Sequence, residues 1–493
     1  MSSQLRVSLA SGPLRWKLAF QQVNVRMTFA ERKFLLVMVD LLLLNGSLLA
    51  AVTVWNGFDP SVSLLIEKAK WFITLSAVWL WFGMVLDIYD LPRAASVTTI
   101  VTNMLVTVVL TDLIYVTIPW FTPPIVARLY IFGLVGFSLV TLLAWRMLYA
   151  RAFNHLAFRR KALLLGTGPA SQTLMCELNQ LTEDERANPF RGTGYHIVGL
   201  VSEQSDLSSS SEDGTAALGG LRRLVRLARI HQADEIIVAP NAESEADPEV
   251  CQVLLDCREL GLRVTSVAEI YERLTSRLPV EYARYNMQTL LGQTDNPSAR
   301  LYHAVKSVID LVFALCGLVA LGLLVPFVAL ANAVWSPGPL FYSQERVGKG
   351  GRPFAVFKFR SMRTDAEKMG AVWCGDRDPR ITPVGHWLRK MRLDELPQVI
   401  NVLRGEMSVV GPRPERPHFV GQLVHELPLY RARNAVKPGI TGWAQIRYRY
   451  GSSVEDSRVK LEYDLYYVKH ASLYLDLLIM LQTAPVMLGL KGK

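Results

Sequence analysis

Long apolar runs constrain this chain more than any other feature of its sequence. A transmembrane helix needs about 20 consecutive apolar residues. Four runs near the N-terminus approach that length: Phe34–Trp55, Trp71–Leu86, Ile100–Trp120 and Ile125–Tyr149. Hydrophobic residues make up 51% of the 493 residues and charged residues only 19%, against roughly 25% charged in soluble domains. The sequence therefore predicts a membrane protein with a four-helix transmembrane region over residues 34–150.

Basic residues on both sides of this region predict its orientation. Residues 1–33 form a basic N-terminal segment, and Arg151, Arg159, Arg160 and Lys161 follow the fourth run. The loop between the third and fourth runs holds almost no charge. Because cytoplasmic loops carry an excess of Lys and Arg, we expect both ends of the four-helix region, including the basic segment, in the cytoplasm.

Residues 155–285 alternate strand-like and helical patterns. The predicted strands are Ala162–Leu165, Tyr195–Val201, Glu235–Ala239 and Leu262–Val267, and the predicted helices between them include Leu221–His231 and Glu249–Leu260. This alternation favours a parallel sheet, so we expect a cytoplasmic Rossmann-like domain that is CoA- or nucleotide-binding-like, then a linker over 286–300. The turn Gly166–Ser171 resembles a dinucleotide fingerprint without its third glycine, and Glu203 lies further on than the usual acidic residue. The alternative, which we favour, is a tight strand-to-helix turn in a domain that binds no cofactor.

The last region, residues 301–493, opens with the apolar run Val308–Trp335, which has Pro326 near its centre. Both flanks of the run are basic, with Lys306 before it and Arg346 after it. A re-entrant helix that bends at Pro326 and leaves on the side it entered satisfies both flanks. The alternative is a kinked fifth span.

A final apolar run, Ala471–Leu490, carries a narrow polar stripe of Ser472, Asp476 and Thr483. This pattern favours an interfacial amphipathic helix over a span. The net charge of +10 suits a surface that meets anionic lipid headgroups, and we expect no nucleic-acid partner. The five cysteines show no CxxC spacing, which argues against a disulfide framework or a zinc site.

Several motifs in the last region carry charges that suit phosphate chemistry. Lys358 and Arg360 alternate with apolar residues after a glycine-rich turn, so a strand would place both cations on one face, where they could clamp a diphosphate. An ordinary solvated face is the alternative. Asp394 and Glu395 lie among cations that include Arg389. One carboxylate could attack phosphorus while its neighbour holds a metal, although position alone would make Asp394 a helix N-cap.

Two turns complete the candidate site. Gly411–Glu415 is a proline-stiffened loop that presents Arg413, a guanidinium suited to bidentate phosphate binding. Lys437–Gln445 combines turn residues with a hydroxyl, an indole and an amide, which can stack on and hydrogen-bond a base or sugar. A purely structural turn is the alternative for each.

Six strings in this region occur together and in order: KFRSM (358–362), DPRIT (378–382), LDELPQ (393–398), NVLRGEMSVVGPRP (401–414), KPGITGWAQ (437–445) and YDLYYVKH (463–470). In these strings the chain resembles the bacterial polyprenyl-phosphate hexose-1-phosphate transferases, which initiate exopolysaccharide and capsule synthesis. The four spans and the Rossmann-like domain are similar to the long form of that family.

The resemblance implies an activity and its partners. The expected reaction moves a hexose 1-phosphate from a UDP-sugar, with glucose as the expected hexose, to undecaprenyl phosphate with release of UMP, at the start of exopolysaccharide, capsule or lipopolysaccharide repeat-unit synthesis. We expect a multi-pass inner-membrane protein with a monotopic catalytic domain, 301–493, on the cytoplasmic face. Its expected partners are membrane lipids and the downstream glycosyltransferases of the same pathway. A second copy of the chain, in a homodimer, is a further candidate partner.

The resemblance also assigns roles to single residues. Asp394 would be the nucleophile that forms a covalent phospho-sugar intermediate, and Glu395 would hold Mg²⁺. Lys358, Arg360, Arg389 and Arg413 would neutralise phosphates, and Thr441, Gly442, Trp443 and Gln445 would lie near the site together with Asp464. Pro326 would form the bend, with Val325 where the family often has Ser. Two other functions remain as alternatives: a membrane-bound nucleotide-sugar-modifying enzyme, and a non-catalytic scaffold of an export complex.

Overall fold

The computed structural model describes residues 29–56, 68–86, 88–89, 97–118, 121–122, 128–153, 160–166, 195–202, 217–239, 247–280, 297–366, 378–427, 429–448 and 453–487. The chain forms two compact units. Among the described residues, the first unit holds those up to 237 together with 248–264, and the second holds the few at 238–247 and all those from 265 onward. The second unit therefore begins well before the predicted linker at 286–300.

Four helices open the first unit: α1 (Phe29–Asn56), α2 (Ala69–Val85), α3 (Val97–Thr117) and α4 (Arg128–Phe153). They share one apolar core, to which each helix contributes fully or nearly fully buried side chains. Glu31–Val54 and Phe132–Tyr149 are long and apolar enough to cross a membrane, whereas Ala69–Val85 and Asn103–Thr117 are shorter apolar helices. The four predicted helices are confirmed as helices, and their membrane crossing stays a prediction.

The first unit continues with a five-stranded sheet in the order β3-β2-β1-β4-β5. Its strands are β1 (Arg160–Leu165), β2 (Tyr195–Ser202), β3 (Ala217–Gly220), β4 (Glu235–Val238) and β5 (Arg263–Ser266), with α5 (Leu224–His231) and α6 (Pro248–Glu259) between them. The pairs β1–β2 and β2–β3 are parallel, as predicted. β3 escaped prediction because its four residues include two glycines and show no alternation. Gly168, Ser171 and Glu203, which carried the dinucleotide interpretation, lie outside the described residues.

The second unit is helical with two small sheets. Its helices are α7 (Val267–Thr275), α8 (Pro297–Trp335), α9 (Pro383–Lys390), α10 (Val399–Leu403), α11 (Pro417–Glu426), α12 (Trp443–Arg447), α13 (Val454–His470) and α14 (Leu473–Met487). Strands β6 (Phe341–Val347) and β7 (Pro353–Phe359) form an antiparallel hairpin, and β8 (Ser408–Val410) pairs in parallel with β9 (Gly439–Thr441).

Helix α8 packs along the second unit by one narrow stripe. Ala314, Leu321 and Val328, seven residues apart, are buried, whereas Leu323 and Phe327 are about 70% exposed (69% and 72%). The helix has 39 residues and runs through Pro326 without division. Arg300–Trp335 is long and apolar enough to cross a membrane. The bend at Pro326 stays a prediction.

The polar stripe of α14 faces the protein rather than water. The Asp476 carboxylate accepts hydrogen bonds from Lys306 Nζ (2.8 Å), Tyr302 Oη (3.0 Å) and Tyr467 Oη (2.7 Å). On the same helix Tyr474 and Leu477 are exposed. Helix α14 therefore buries its polar stripe together with Leu475 and Ile479, and it exposes other apolar residues that include Tyr474 and Leu477.

Candidate active site

The acidic pair lies on a 3₁₀ helix, Leu393–Gln398, between α9 and α10. Arg392, just before it, has a left-handed backbone (φ 57°) that turns the chain sharply out of α9. Asp394 and Glu395 are both buried, each with 8% exposure. The Asp394 side chain makes no N-cap hydrogen bond, since Arg392 occupies the cap position and Asp394 lies inside the helix. The capping interpretation of Asp394 is therefore wrong.

Glu395 is held between two cations. Its Oε1 accepts from Lys358 Nζ at 3.0 Å and from Arg413 Nη2 at 2.6 Å, and its Oε2 accepts a longer bond of 3.4 Å from Arg413 Nη1. Burial alone would raise the pKa of Glu395, but the charges and hydrogen bonds of Arg413 and Lys358 outweigh it and hold the pKa far below its usual range. Glu395 is therefore a fixed anion at neutral pH.

Asp394 has the opposite environment. Its Oδ1 is buried and has no hydrogen-bond partner among the described residues. Burial, together with the neighbouring charge of Glu395, raises the pKa of Asp394 against the opposing charges of Lys358, Arg389 and Arg413. A weakly solvated carboxylate oxygen surrounded by cations is a reactive nucleophile toward phosphorus.

Lys358 owes its position to a strand that is held on both edges. β7 pairs with β6 on one side, where Lys358 lies opposite Tyr342. On the other side the buried Asn401 accepts from Phe357 N (3.1 Å) and donates to Ala355 O (2.7 Å). One amide side chain thus takes the place of a neighbouring strand beside Lys358.

Arg413 owes its position to close backbone packing. Gly411 N donates to Thr441 O, and Gly439 N donates to Pro412 O, each at 2.9 Å. A Cβ atom on Gly439 would lie 2.1 Å from Gly411 N, so no larger residue fits where these backbones cross. This crossing ties the Arg413 loop to β9, and it gives the glycines of both motifs a structural role.

A buried arginine that no sequence motif indicated supports the same loop. Arg433 Nη2 donates to Arg413 O at 2.8 Å, and its Nε donates to Asp464 Oδ2 at 3.0 Å. Asp464 is 2% exposed, and its partner there is Arg433. Asp464 therefore supports the Arg413 loop through Arg433, which binds both of them. Its contribution to the site is indirect. An Arg in a 3₁₀ helix of six residues, Tyr430–Ala435, gives no pattern that could have revealed the role of Arg433.

Arg360 does not join the cations around Glu395. β7 ends at Phe359, so the alternation that was to place Lys358 and Arg360 on one face stops before Arg360. The guanidinium of Arg360 donates to Pro339 O (2.7 Å), to Asn332 Oδ1 (2.8 Å) and to Ser336 O. These partners lie at the C-terminal end of α8, where a cation also complements the helix dipole. A role of Arg360 in phosphate binding has no support in these contacts.

The segment Thr441–Gln445 is mainly internal. Thr441 shares a 2.7 Å hydrogen bond with Thr483, and Gly442 passes so close to Gly411 that a Cβ would lie 2.2 Å from its carbonyl oxygen. Trp443 is 3% exposed and stacks on Tyr466, so its indole is not presented for stacking on a base. Gln445 Nε2 donates to Ile440 O (3.1 Å), and Gln445 Oε1 has no partner among the described residues.

The acidic pair has some of the features of a magnesium site. No group of three metal-binding side chains occurs within the described ranges. Mg²⁺, however, is commonly held by one or two carboxylates, with substrate phosphates and waters as the other ligands. Among the residues that the structure describes, Asp394 Oδ1 has no partner and Glu395 Oε2 accepts one long bond. The donor set therefore fits a metal that arrives with a phosphate substrate.

This arrangement of two buried carboxylates and several cations, in a unit with the long apolar helix α8, defines a membrane-associated protein suited to phosphoryl transfer. Residues 301–489 match the family model of the bacterial sugar transferases, and residues 84–268 match that of a CoA-binding domain. A UDP-glucose:undecaprenyl-phosphate glucose-1-phosphate transferase of Xanthomonas campestris is 31% identical over 363 residues, which are 72% of each chain. The chain belongs to the bacterial sugar transferase family.

Two further relatives differ in their sugar. A UDP-N-acetylgalactosamine-undecaprenyl-phosphate N-acetylgalactosaminephosphotransferase of Aeromonas hydrophila is 39% identical over 250 residues, 50% of this chain and 58% of the relative. An undecaprenyl-phosphate glucose phosphotransferase of Komagataeibacter xylinus is 36% identical over 331 residues, 66% of this chain and 58% of the relative. The chain thus spans less than two thirds of the length of these two relatives.

Proposed function

We propose that this protein transfers a hexose 1-phosphate from a UDP-sugar to undecaprenyl phosphate. The observation that carries the proposal is the contrast within the acidic pair. Glu395 is locked between Lys358 and Arg413, whereas Asp394 keeps an unpartnered buried oxygen beside the same cations. Two adjacent carboxylates with opposite environments divide the roles of fixed anion and nucleophile.

The proposed reaction has two balanced steps. Asp394 Oδ1 attacks the phosphorus that bears the sugar, the bond from that phosphorus to the bridging oxygen breaks, and UMP leaves with the electron pair. An oxygen of undecaprenyl phosphate then attacks the same phosphorus and releases the Asp394 carboxylate. One phosphoanhydride replaces another, so catalysis consists mainly of positioning and charge neutralisation.

The cations have distinct roles in this scheme. Lys358 and Arg413 can each donate to more than one acceptor, so both can contact phosphate while they remain on Glu395. Arg389, whose charge opposes the raised pKa of Asp394, stabilises its ionised form. Mg²⁺, held by Glu395 and by the substrate phosphates, would withdraw negative charge from the diphosphate.

The proposed acceptor is a lipid, and helix α8 supports a membrane-associated catalytic unit. Near both of its ends α8 contacts the rest of the second unit, through Lys306 to Asp476 and through Asn332 to Arg360. Those positions are about 39 Å apart along a straight helix, more than the roughly 30 Å hydrocarbon thickness. A compact polar domain cannot contact both ends of a spanning helix. We therefore propose that α8 is re-entrant, turning at Pro326, in a multi-pass cytoplasmic-membrane protein whose catalytic unit faces the cytoplasm.

Glucose is the proposed hexose, because the Xanthomonas relative, which the chain matches over 72% of each length, carries glucose in its name. N-acetylgalactosamine is the second candidate, since the Aeromonas relative shares a higher identity over a shorter region. The test is UMP release from purified protein supplied with undecaprenyl phosphate, Mg²⁺ and a panel of UDP-sugars. A matched sample of Asp394→Asn serves as the control.

We expect UMP release with one UDP-sugar and none from Asp394→Asn. Without acceptor, the intact mass of the wild-type protein should increase by one hexose phosphate, and that of the variant should not. Normal turnover by Asp394→Asn would overturn the nucleophile assignment. A wild-type protein that releases UMP with none of the UDP-sugars but still supports polysaccharide export in the cell would favour a scaffold.

A further inference from the structure

Residues 265–280, named here the docking segment, belong to the second unit although they come directly after the α/β sheet. They lie outside the part of the chain that matches the transferase family, which begins at residue 301. The segment comprises the end of β5, α7 and five further residues. In sequence the docking segment follows the α/β sheet, but by its contacts it belongs to the second unit, which holds the acidic pair.

Polar contacts fix the docking segment to α13 and α12. The buried Glu462 carboxylate accepts from Tyr271 Oη at 3.1 Å and pairs with Arg277 at 3.6 Å, while Glu462 O accepts from Leu278 N at 3.0 Å. Trp443 Nε1 donates to Ser276 O at 3.0 Å. Removing the segment would leave a buried carboxylate and a buried indole without these partners.

Apolar contacts lead from the docking segment toward the acidic pair. Leu278 and Val280 are buried in one cluster with Tyr430. Tyr430 Oη accepts from Arg433 Nη1 at 2.9 Å, and Arg433 Nη2 donates to the main chain of Arg413. Arg413 in turn binds the Glu395 carboxylate. Packing in a shared apolar cluster, followed by two successive hydrogen bonds, therefore connects Leu278 with the Arg413 loop.

We infer that the docking segment is a positioning element of the transferase, which holds Tyr430 and Arg433 and thereby sets the place of Arg413. Closely packed interiors transmit small displacements because their side chains have few alternative arrangements. The segment that follows the last strand of the α/β sheet in sequence thus sets the position of the phosphate-binding loop within the second unit. The inference rests on the proposed function for the role of Arg413, and on geometry alone for the mechanical connection.

The test compares Leu278→Ala with Leu255→Ala in the full-length protein. Both remove the same atoms, but Leu278 is buried in the cluster and Leu255 is 53% exposed on α6. One readout is hydrogen–deuterium exchange of a peptide containing residues 411–416, and the other is the kinetics of UMP release. We expect Leu278→Ala to speed exchange about tenfold and to lower kcat about tenfold, with KM for the UDP-sugar changed less than either. Leu255→Ala should leave both unchanged.

Three further variants separate positioning from a general loss of stability. Leu278→Met keeps the side-chain volume, so its exchange rate at 411–416 and its kcat should stay close to those of wild type. Tyr430→Phe removes the hydroxyl that accepts a hydrogen bond from Arg433. In combination with Leu278→Ala, it should lower kcat by less than the product of the two single reductions. If Leu278→Ala does not fold, Leu278→Val is measured with the same expectations at smaller size. A folded Leu278→Ala or Leu278→Val with unchanged exchange at 411–416 overturns the inference. Absence of UMP release from wild type would refute the proposed function and leave the exchange experiment decisive.

Discussion

Asn401 offers a sharp test of how the site is supported. Asn401→Ala removes three hydrogen bonds of a fully buried side chain, to Phe357 N, Ala355 O and Glu406 Oε2. At about 1 kcal/mol each, with up to about 1 kcal/mol more for the bond to a carboxylate, the loss is about 3–4 kcal/mol. Two of these bonds fix the strand that carries Lys358, so we also expect kcat to fall about tenfold.

The stability loss is measured by equilibrium unfolding in mild detergent, and the catalytic loss by UMP release at saturating UDP-sugar. Glu406→Gln is the matched control, since the glutamine oxygen can still accept from Asn401 and only the charge is removed. It should cost less than about 1 kcal/mol and leave kcat unchanged. A loss below about 1 kcal/mol for Asn401→Ala would refute the argument that this side chain substitutes for a neighbouring strand.

Three other predictions concern charge and close packing. Asp394 must be ionised to attack, and burial followed by the charge of Glu395 raises its pKa, so activity should fall as the pH drops through that raised pKa. Glu395→Gln should move this acid limb to lower pH in a pH–rate profile, and an unmoved limb would contradict the assignment. Arg360→Met should lower the unfolding temperature without raising KM for the UDP-sugar, and a tenfold higher KM in a stable variant would restore Arg360 as a phosphate ligand. Gly439→Ala should cost about 3 kcal/mol or more from backbone overlap, whereas Gly421→Ala, in open space on a helix, should stabilise by about 0.5–1 kcal/mol.

Periodic patterns accounted for the regular elements of the fold. The strands β1, β2, β4 and β5 lie within two residues of their predicted bounds, because short apolar or alternating runs between turn residues mark strands in a sequence. The sheet edge β3 carries too few apolar residues to give such a pattern. The four N-terminal helices were equally evident from their length and low charge.

The site was only partly predictable, because its supports are single side chains without periodicity. The acidic pair, Lys358 and Arg413 were evident as charges within turn-rich motifs, and the structure brings them together. Asn401 and Arg433 gave no signal, since one buried amide or guanidinium has the same appearance in sequence as an exposed one. Alternation did not predict the contacts of Arg360, because the strand ends at Phe359, between two residues of the same charge.

The polar stripe of α14 illustrates a general ambiguity of amphipathic patterns. A helix with one polar and one apolar side can turn either side toward the protein, and in water the apolar side turns inward. Here Asp476 is buried against Lys306 while Tyr474 is exposed. A buried and paired Asp476 on a helix that exposes other apolar residues is the arrangement expected where the surroundings are lipid, since a charged group is then best paired inside the protein.

The charges around the acidic pair bear on the proposed need for a metal. Lys358, Arg389 and Arg413 face two carboxylates, of which Glu395 stays ionised and Asp394 must be ionised to react. This set leaves a single net positive charge against the diphosphate of a UDP-sugar and, in the second step, the phosphate of the lipid acceptor. One residual charge in this described set falls short of that negative charge, and unbalanced charge is costly in a buried site. The cations that lock Glu395 thus organise the site without saturating it, and the remaining demand for positive charge is the physical reason to expect Mg²⁺ to enter with the donor.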